Sequence, residues 1–253
     1  MSIFQAVILG VIQGITEFLP VSSSGHLVLF QKIFGITEPA LLFDTLVHCG
    51  TLLAVVVVLW RDILNILTRL FQPLTLHLII ATIPAVIIAL LFKGSIESAF
   101  SSGDFLGFAF LITSALLWVS EFISRRPGKG GLPRNQDEMT WRDALAVGAL
   151  QAAAVMPGVS RSGATLSGAL SRRLDRDFAA RFSFLLSVPA ILGALVLQIK
   201  DLAGNSPLEA SPGNGPIPLA AGALSAALVG FFSIRIMLKI VREKSLLGFA
   251  VYT

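Results

Sequence analysis

Gly10-Val11-Ile12-Gln13-Gly14-Ile15-Thr16-Glu17-Phe18-Leu19-Pro20-Val21-Ser22-Ser23-Ser24-Gly25-His26 is an apolar helix-forming run that breaks at Pro20 into a serine cluster. The pattern returns 138 positions later, where Gly148-x-x-Gln151 runs on to Pro157-Gly158-Val159-Ser160-Arg161-Ser162-Gly163. A second correspondence pairs Phe43 to Asp62 with Phe182 to Asp201 at an offset of 139. Two related matches in order along the chain indicate a duplication. When both halves of an apolar chain carry a Pro/Ser/Gly break, the breaks mark a binding site.

Composition places the duplication in a membrane. Of the 253 residues 55% are hydrophobic and only 13% charged, and the mean hydropathy is +0.82. A soluble globule carries about a quarter charged residues. Apolar runs cover Ile3–Leu19, Leu41–Trp60, Leu74–Phe92, Phe105–Ile123, Ala144–Met156, Phe182–Ile199 and Ile217–Met237. Several approach the ~20 residues that span a bilayer. Leu27–Phe34 and Ala164–Leu170 are too short to cross. Ile3–Leu19 lacks a basic leader and a small-residue cleavage site, so it reads as structure and not as a signal peptide. A formal charge of +4 and a pI near 9.6 belong to connections between apolar runs, not to a nucleic-acid surface. One cysteine, Cys49, rules out an intrachain disulfide.

Lys and Arg alternate along the connections. Arg61 and Arg69, then Arg125, Arg126, Lys129, Arg134 and Arg142, then Arg172, Arg173, Arg176 and Arg181, then Lys239, Arg242 and Lys244 mark four basic connections. The 93–104 and 200–216 segments hold one lysine each. The basic set is expected in the cytoplasm and the other set outside. For 124–143 and 171–181 to share a side, the broken segment between them must enter and leave by one face, as a re-entrant hairpin. Three crossings per half then invert the second repeat relative to the first. The expected fold is all-α and polytopic, with two inverted-topology repeats, each a re-entrant helical hairpin plus three transmembrane spans. Repeat 1 covers about 1–123, a linker 124–143, and repeat 2 about 144–253, its last span only begun at Leu246–Thr253. Asn205–Pro218, rich in Pro and Gly, reads as an outer loop.

Chemistry concentrates at the breaks. Pro20 ends helical bonding, and the serines after it cap the helix that follows, which leaves an anion-receptive helix N-terminus. Glu17 and His26 flank this tip, and Ser23 stands between them, so a nucleophile, a base and a carboxylate can converge there. The second tip has the same plan with Arg161 added. No acidic residue lies within ten positions of Arg161. Its partner is either Glu17 across the repeat or an anionic ligand, and a planar guanidinium suits phosphate oxygens. The inventory suits a phosphatase. A transporter or flippase for anionic lipids is the alternative, since broken helices are its usual plan; it would not require Ser23, His26 and Glu17 together. His48 takes the ordinary reading of a histidine bonded within the bundle, and His77 that of one near an interface.

Gln13 to His26, Pro157 to Thr165, Phe43-Asp44-Thr45 to Trp60-Arg61 and Phe182 to Pro189 resemble the undecaprenyl-diphosphate phosphatases, the bacitracin-resistance family, over essentially the whole chain. The resemblance implies a multi-pass enzyme of the bacterial inner membrane with its site open to the periplasmic side. It would remove the terminal phosphate of a C55 polyprenyl diphosphate, recycling the carrier used for peptidoglycan. By position Ser23 resembles the nucleophile, and Glu17 and His26 the acid/base or metal-associated groups. Arg161 resembles the phosphate clamp, with Ser22, Ser160, Ser162, Thr165 and Gln13 as supporting substrate contacts. A divalent cation, Mg or Ca, is implied by the resemblance alone, with Glu17 as its ligand. Many members carry a glutamate where this chain has Gln13, and an amide does not bind a hard cation as a carboxylate does. The implied partners are polyprenyl diphosphate and membrane lipids, no nucleic acid, and an open choice between monomer and homodimer.

Overall fold

The computed structural model describes residues 1–36, 41–96, 105–125, 133–204 and 215–253. Its regular structure is helical among these residues: α1 (Ile3–Thr16), α2 (Ser23–Ile33), α3 (Leu41–Val58), α4 (Trp60–Thr68), α5 (Pro73–Leu91), α6 (Leu106–Arg125), α7 (Trp141–Ala153), α8 (Arg161–Ser171), α9 (Arg176–Gly204), α10 (Pro216–Glu243) and α11 (Leu247–Tyr252). Four described helices, α5, α6, α9 and α10, are long and apolar enough to cross a membrane. The bent pair α3–α4 makes a fifth candidate span. The protein is therefore a polytopic helical membrane protein.

The sequence reading is corrected at 61–73, expected as a connection. The chain turns by 82° after Val58 and runs on as α4. Ile63 and Ile66 of α4 pack on the core while Leu64 and Leu67 stay exposed, so a short amphipathic helix forms where charge counting alone suggested a loop. Pro84 and Pro189 sit within α5 and α9, inside the apolar runs that contain them, and the outer loop expected to reach Pro218 ends earlier, because α10 opens at Pro216. Residues 126–132 of the expected linker and 205–214 of the expected outer loop lie outside the described residues.

Lipid gives no hydrophobic drive for helix pairing, so close packing must supply it, and small residues allow it. α1 and α3 both lie against α10, where a Cβ on Gly10 would strike the Gly222 carbonyl oxygen and one on Gly50 that of Ala223. In the second half α7 lies against α5, where a Cβ on Gly148 would come within 2.6 Å of the Ala81 carbonyl oxygen. Each broken helix thus packs on a long span of the other half.

Ion pairs tie the basic connections together. Asp62 pairs with Arg181. Asp143, fully buried, accepts from Arg134 at 2.9 Å and 3.0 Å and from Arg172 at 2.7 Å. Burial opposes its charge, yet the bonds from Arg134, Thr140 and Arg172 hold its carboxyl well below the usual carboxylate range. Glu121 takes Arg125 at 2.6 Å, Arg176 at 3.2 Å and the Leu246 N–H at 3.3 Å. Arg176 also donates to the Lys244 carbonyl. All four basic connections are joined by these contacts.

Candidate active site

α1 ends at Thr16 and α2 starts at Ser23, and between them the chain turns through Glu17 to Ser22. Ser22 has φ +70°, a left-handed conformation that is unfavourable for any residue but glycine. Its hydroxyl caps α2 by accepting from the Gly25 N–H at 3.3 Å. The second break keeps the serine cap but puts its left-handed residue two positions earlier, Ser160 itself having φ −70°. Gly158 takes φ +85°, and Ser160 caps α8 by accepting from the Gly163 N–H at 3.0 Å. Both helix starts leave first-turn N–H groups without intrahelical acceptors.

The two breaks meet. Arg161 Nη2 donates to Glu17 Oε1 at 2.8 Å, the Ser162 hydroxyl donates to the Leu19 carbonyl at 3.0 Å, and the Gly158 N–H donates to Ser24 Oγ at 3.4 Å. Of the two partners open to Arg161 in the sequence, the structure places Glu17 against it. The other oxygen of Glu17 accepts from the Ser23 hydroxyl at 2.6 Å and from Gln13 Nε2 at 2.9 Å. Glu17 is 6% exposed, so this charge lies in a mostly dry place and is matched by donors on both oxygens. Ser23 is only partly buried, which leaves its hydroxyl approachable.

The histidines divide differently from the sequence reading. His26 donates from Nδ1 to the Ser22 carbonyl at 2.7 Å, and its Nε2 lies 2.9 Å from the Tyr252 hydroxyl. Neither nitrogen bonds Ser23. His48 donates from Nδ1 to the Asp44 carbonyl at 2.6 Å, as an ordinary bundle histidine does, but its Nε2 stands 3.7 Å from Glu17 Oε2. His48 therefore joins the site, which its sequence surroundings did not signal. Ser160, Ser162 and Thr165 are buried, and their hydroxyls hold the second break: Ser160 and Ser162 lie 3.2 Å apart, and Thr165 bonds Ser183 at 2.6 Å. Thr113 and Ser183 are further supports, Thr113 accepting from the Ser160 N–H at 3.0 Å. They sit on α6 and α9 with no local pattern to mark them.

The donor set does not fit a resident divalent cation. Glu17 is the only carboxylate among these groups, one of its oxygens carries a guanidinium, and the other accepts two hydrogen bonds. No cluster of three His, Cys, Asp or Glu side chains suited to a metal occurs among the described residues. Gln13 adds only a neutral amide oxygen, which is buried without a protein partner. Hard cations favour several carboxylate or water oxygens.

An apolar groove of about 420 Å³ lies between α4, α5 and α9, lined by Ile63, Leu78, Ile79, Ile83, Leu185 and Val188, among others. Arg161 Nη1 also donates to the Ser183 carbonyl of α9, at 3.4 Å.

The chain resembles known proteins throughout. It is 46% identical over 252 residues to the undecaprenyl-diphosphatase of Carboxydothermus hydrogenoformans, covering 100% of this chain and 94% of the relative. It is 42% identical to undecaprenyl-diphosphatase 4 of Bacillus thuringiensis, covering 100% and 93%. With the undecaprenyl-diphosphatase of Methanosphaera stadtmanae the identity is 40% over 274 residues, covering 100% and 94%. Residues 6–253 match the family described as bacitracin resistance protein BacA, and the chain belongs to that family.

Proposed function

We propose that the protein hydrolyses undecaprenyl diphosphate to undecaprenyl phosphate and inorganic phosphate, returning the lipid carrier to peptidoglycan synthesis and conferring resistance to bacitracin. The observation that carries this reading is the contact of Ser23 Oγ with Glu17 Oε2 at 2.6 Å, beside Arg161 from the other half. Ser23 attacks the terminal phosphorus while Glu17 takes its proton. The P–O bond to the bridging oxygen breaks, and the prenyl phosphate leaves with that proton. Water then attacks the phosphoserine, passing its proton through Glu17 to Ser23, and phosphate departs. Arg161 carries five donors and can keep Glu17 while turning others to phosphate oxygens, supported by the N-termini of α2 and α8. No divalent cation takes part in these steps.

The membrane arrangement follows the same reading. Two inverted-topology repeats are supported by the reciprocal packing of α1 on α10 and α7 on α5, and by the contacts that gather the basic connections. With those connections in the cytoplasm of a bacterial inner membrane, the first hairpin enters from outside, and the site opens to the periplasmic side.

Hydrolysis is separated from lipid transport by Ser23→Ala, assayed in detergent for phosphate release and for lipid binding in parallel. The expected result is loss of release by at least about 10³-fold with binding nearly intact, because Arg161 and the helix N-termini bind without the hydroxyl. Turnover retained in Ser23→Ala would remove the serine from this role.

A further inference from the structure

We propose that Tyr252 is a positioning residue for the His26 imidazole and, through it, for Ser23. The proposal rests on the phosphatase reading for its activity readout but not for its contact. His26 Nδ1 faces the Ser22 carbonyl at 2.7 Å, and a carbonyl can only accept, so Nδ1 carries the proton. In the neutral ring Nε2 is then an acceptor, and the Tyr252 hydroxyl at 2.9 Å is its donor. This one bond fixes both the tautomer and the plane of the ring. The rings are also stacked, with centroids 5.8 Å apart and planes 10° from parallel. Phe110 contacts the imidazole as well, at 5.6 Å.

What the imidazole holds explains why its position matters. Ser22 is in the left-handed region at φ +70°, and its carbonyl accepts from both the ring and the backbone N–H of His26, the latter at 3.2 Å. An unfavourable conformation persists only where its surroundings over-determine it, and here His26 does so. The next residue is Ser23. The peptide that His26 anchors thereby sets the direction from which Ser23 Oγ meets Glu17. Tyr252 belongs to the short α11, which is itself fastened to α6 where the Ser114 hydroxyl donates to the Ala250 carbonyl. Phe110 and Ser114 lie one turn apart on α6, so this helix carries both the aromatic neighbour of His26 and the anchor of α11. Residues 226 positions apart in the chain are joined in one support.

Tyr252→Phe keeps the stack and removes only the donor. For this variant kcat is expected to fall about tenfold, with KM within about twofold and the thermal midpoint unchanged, the size set by one hydrogen bond and a small displacement of the nucleophile. Tyr252→Leu, which also loses the stack, should fall further. Histidine-selective ¹⁵N spectra of the wild-type protein, at a pH where imidazole is neutral, give a readout that needs no variant: His26 should carry its proton on Nδ1 with Nε2 bare and hydrogen-bonded, and Tyr252→Phe should shift the Nε2 resonance. Unchanged kcat in Tyr252→Phe, or a wild-type His26 protonated on Nε2 with Nδ1 bare, overturns the proposal. A wild-type protein that releases no phosphate counts against the phosphatase reading, while the tautomer still decides this contact.

Discussion

At the first break Glu17, Ser23 and His26 occupy the places that Val155, Arg161 and Ala164 occupy at the second, counted at the same offset of 138. Both breaks have a glutamine-bearing helix, a serine cap and a short second helix, but the left-handed residue is the cap Ser22 itself at the first and Gly158, at the place of Pro20, at the second. Gln13 shows what the exchange of side chains does. Its Nε2 donates to Glu17 four residues on, whereas Gln151, with Val155 four residues on, is buried with neither end of its amide bonded within the protein. The two breaks thus differ in charge, the first holding the carboxylate and the second the cation that meets it. Two copies of either half would place like charges together in a dry site, at a cost that the divided arrangement avoids.

The comparison is broken most sharply at Arg161. Arg161→Lys keeps the charge but loses the planar fork, and phosphate release is expected to fall about 10²–10³-fold. Near-normal turnover in a folded Arg161→Lys protein would mean that the second break contributes only a positive field.

A second test concerns the ionic cluster that holds the entry to the second break, where Asp143 joins Arg134 and Arg172. Asp143→Asn removes the carboxylate charge that both arginines face and sets an NH2 donor in place of one of its oxygens, and should lower stability by about 3–5 kcal/mol, read as a drop in the thermal midpoint in detergent. The wild-type protein should show the matching pH dependence. The folded carboxyl lies below its ordinary range, so this contribution is present above the unfolded value, near about 4, and is lost as pH falls further. An Asp143→Asn protein with an unchanged midpoint and acid sensitivity would show that the cluster is ornamental.

The smallest effects test whether the halves pack reciprocally. Gly10→Ala on α1 and Gly148→Ala on α7 both push a methyl into a carbonyl of the opposite half, and each should cost about 1–3 kcal/mol. Gly193→Ala, on α9 with open space around it, serves as the comparison and should leave the midpoint unlowered or raise it slightly, since alanine favours a helix interior over glycine. A tolerant Gly10 beside a sensitive Gly148 would show that the two helices are not held equivalently.

Much of this was legible in the chain itself. Apolar run lengths mark the long spans because a bilayer imposes a fixed thickness, and Leu74–Phe92 and Phe105–Ile123 agree closely with α5 and α6. The breaks were legible because Pro, Gly and clustered Ser act locally, through a missing N–H and through caps. Glu17 and Arg161 stood out because charge is rare in such sequence, and Ser23 because it lies in a serine cluster between Glu17 and His26. Only the tertiary structure decided which of these side chains touch. The Glu17–Arg161 bond spans 144 positions and the His26–Tyr252 bond 226, and no local propensity encodes a pairing made by helices docking across the repeat. For the same reason His48, bonded locally to Asp44, looked ordinary until α3 set its other nitrogen toward Glu17. Periodicity and caps belong to the single helix, but the direction in which a side chain points into a shared site belongs to the packing of several.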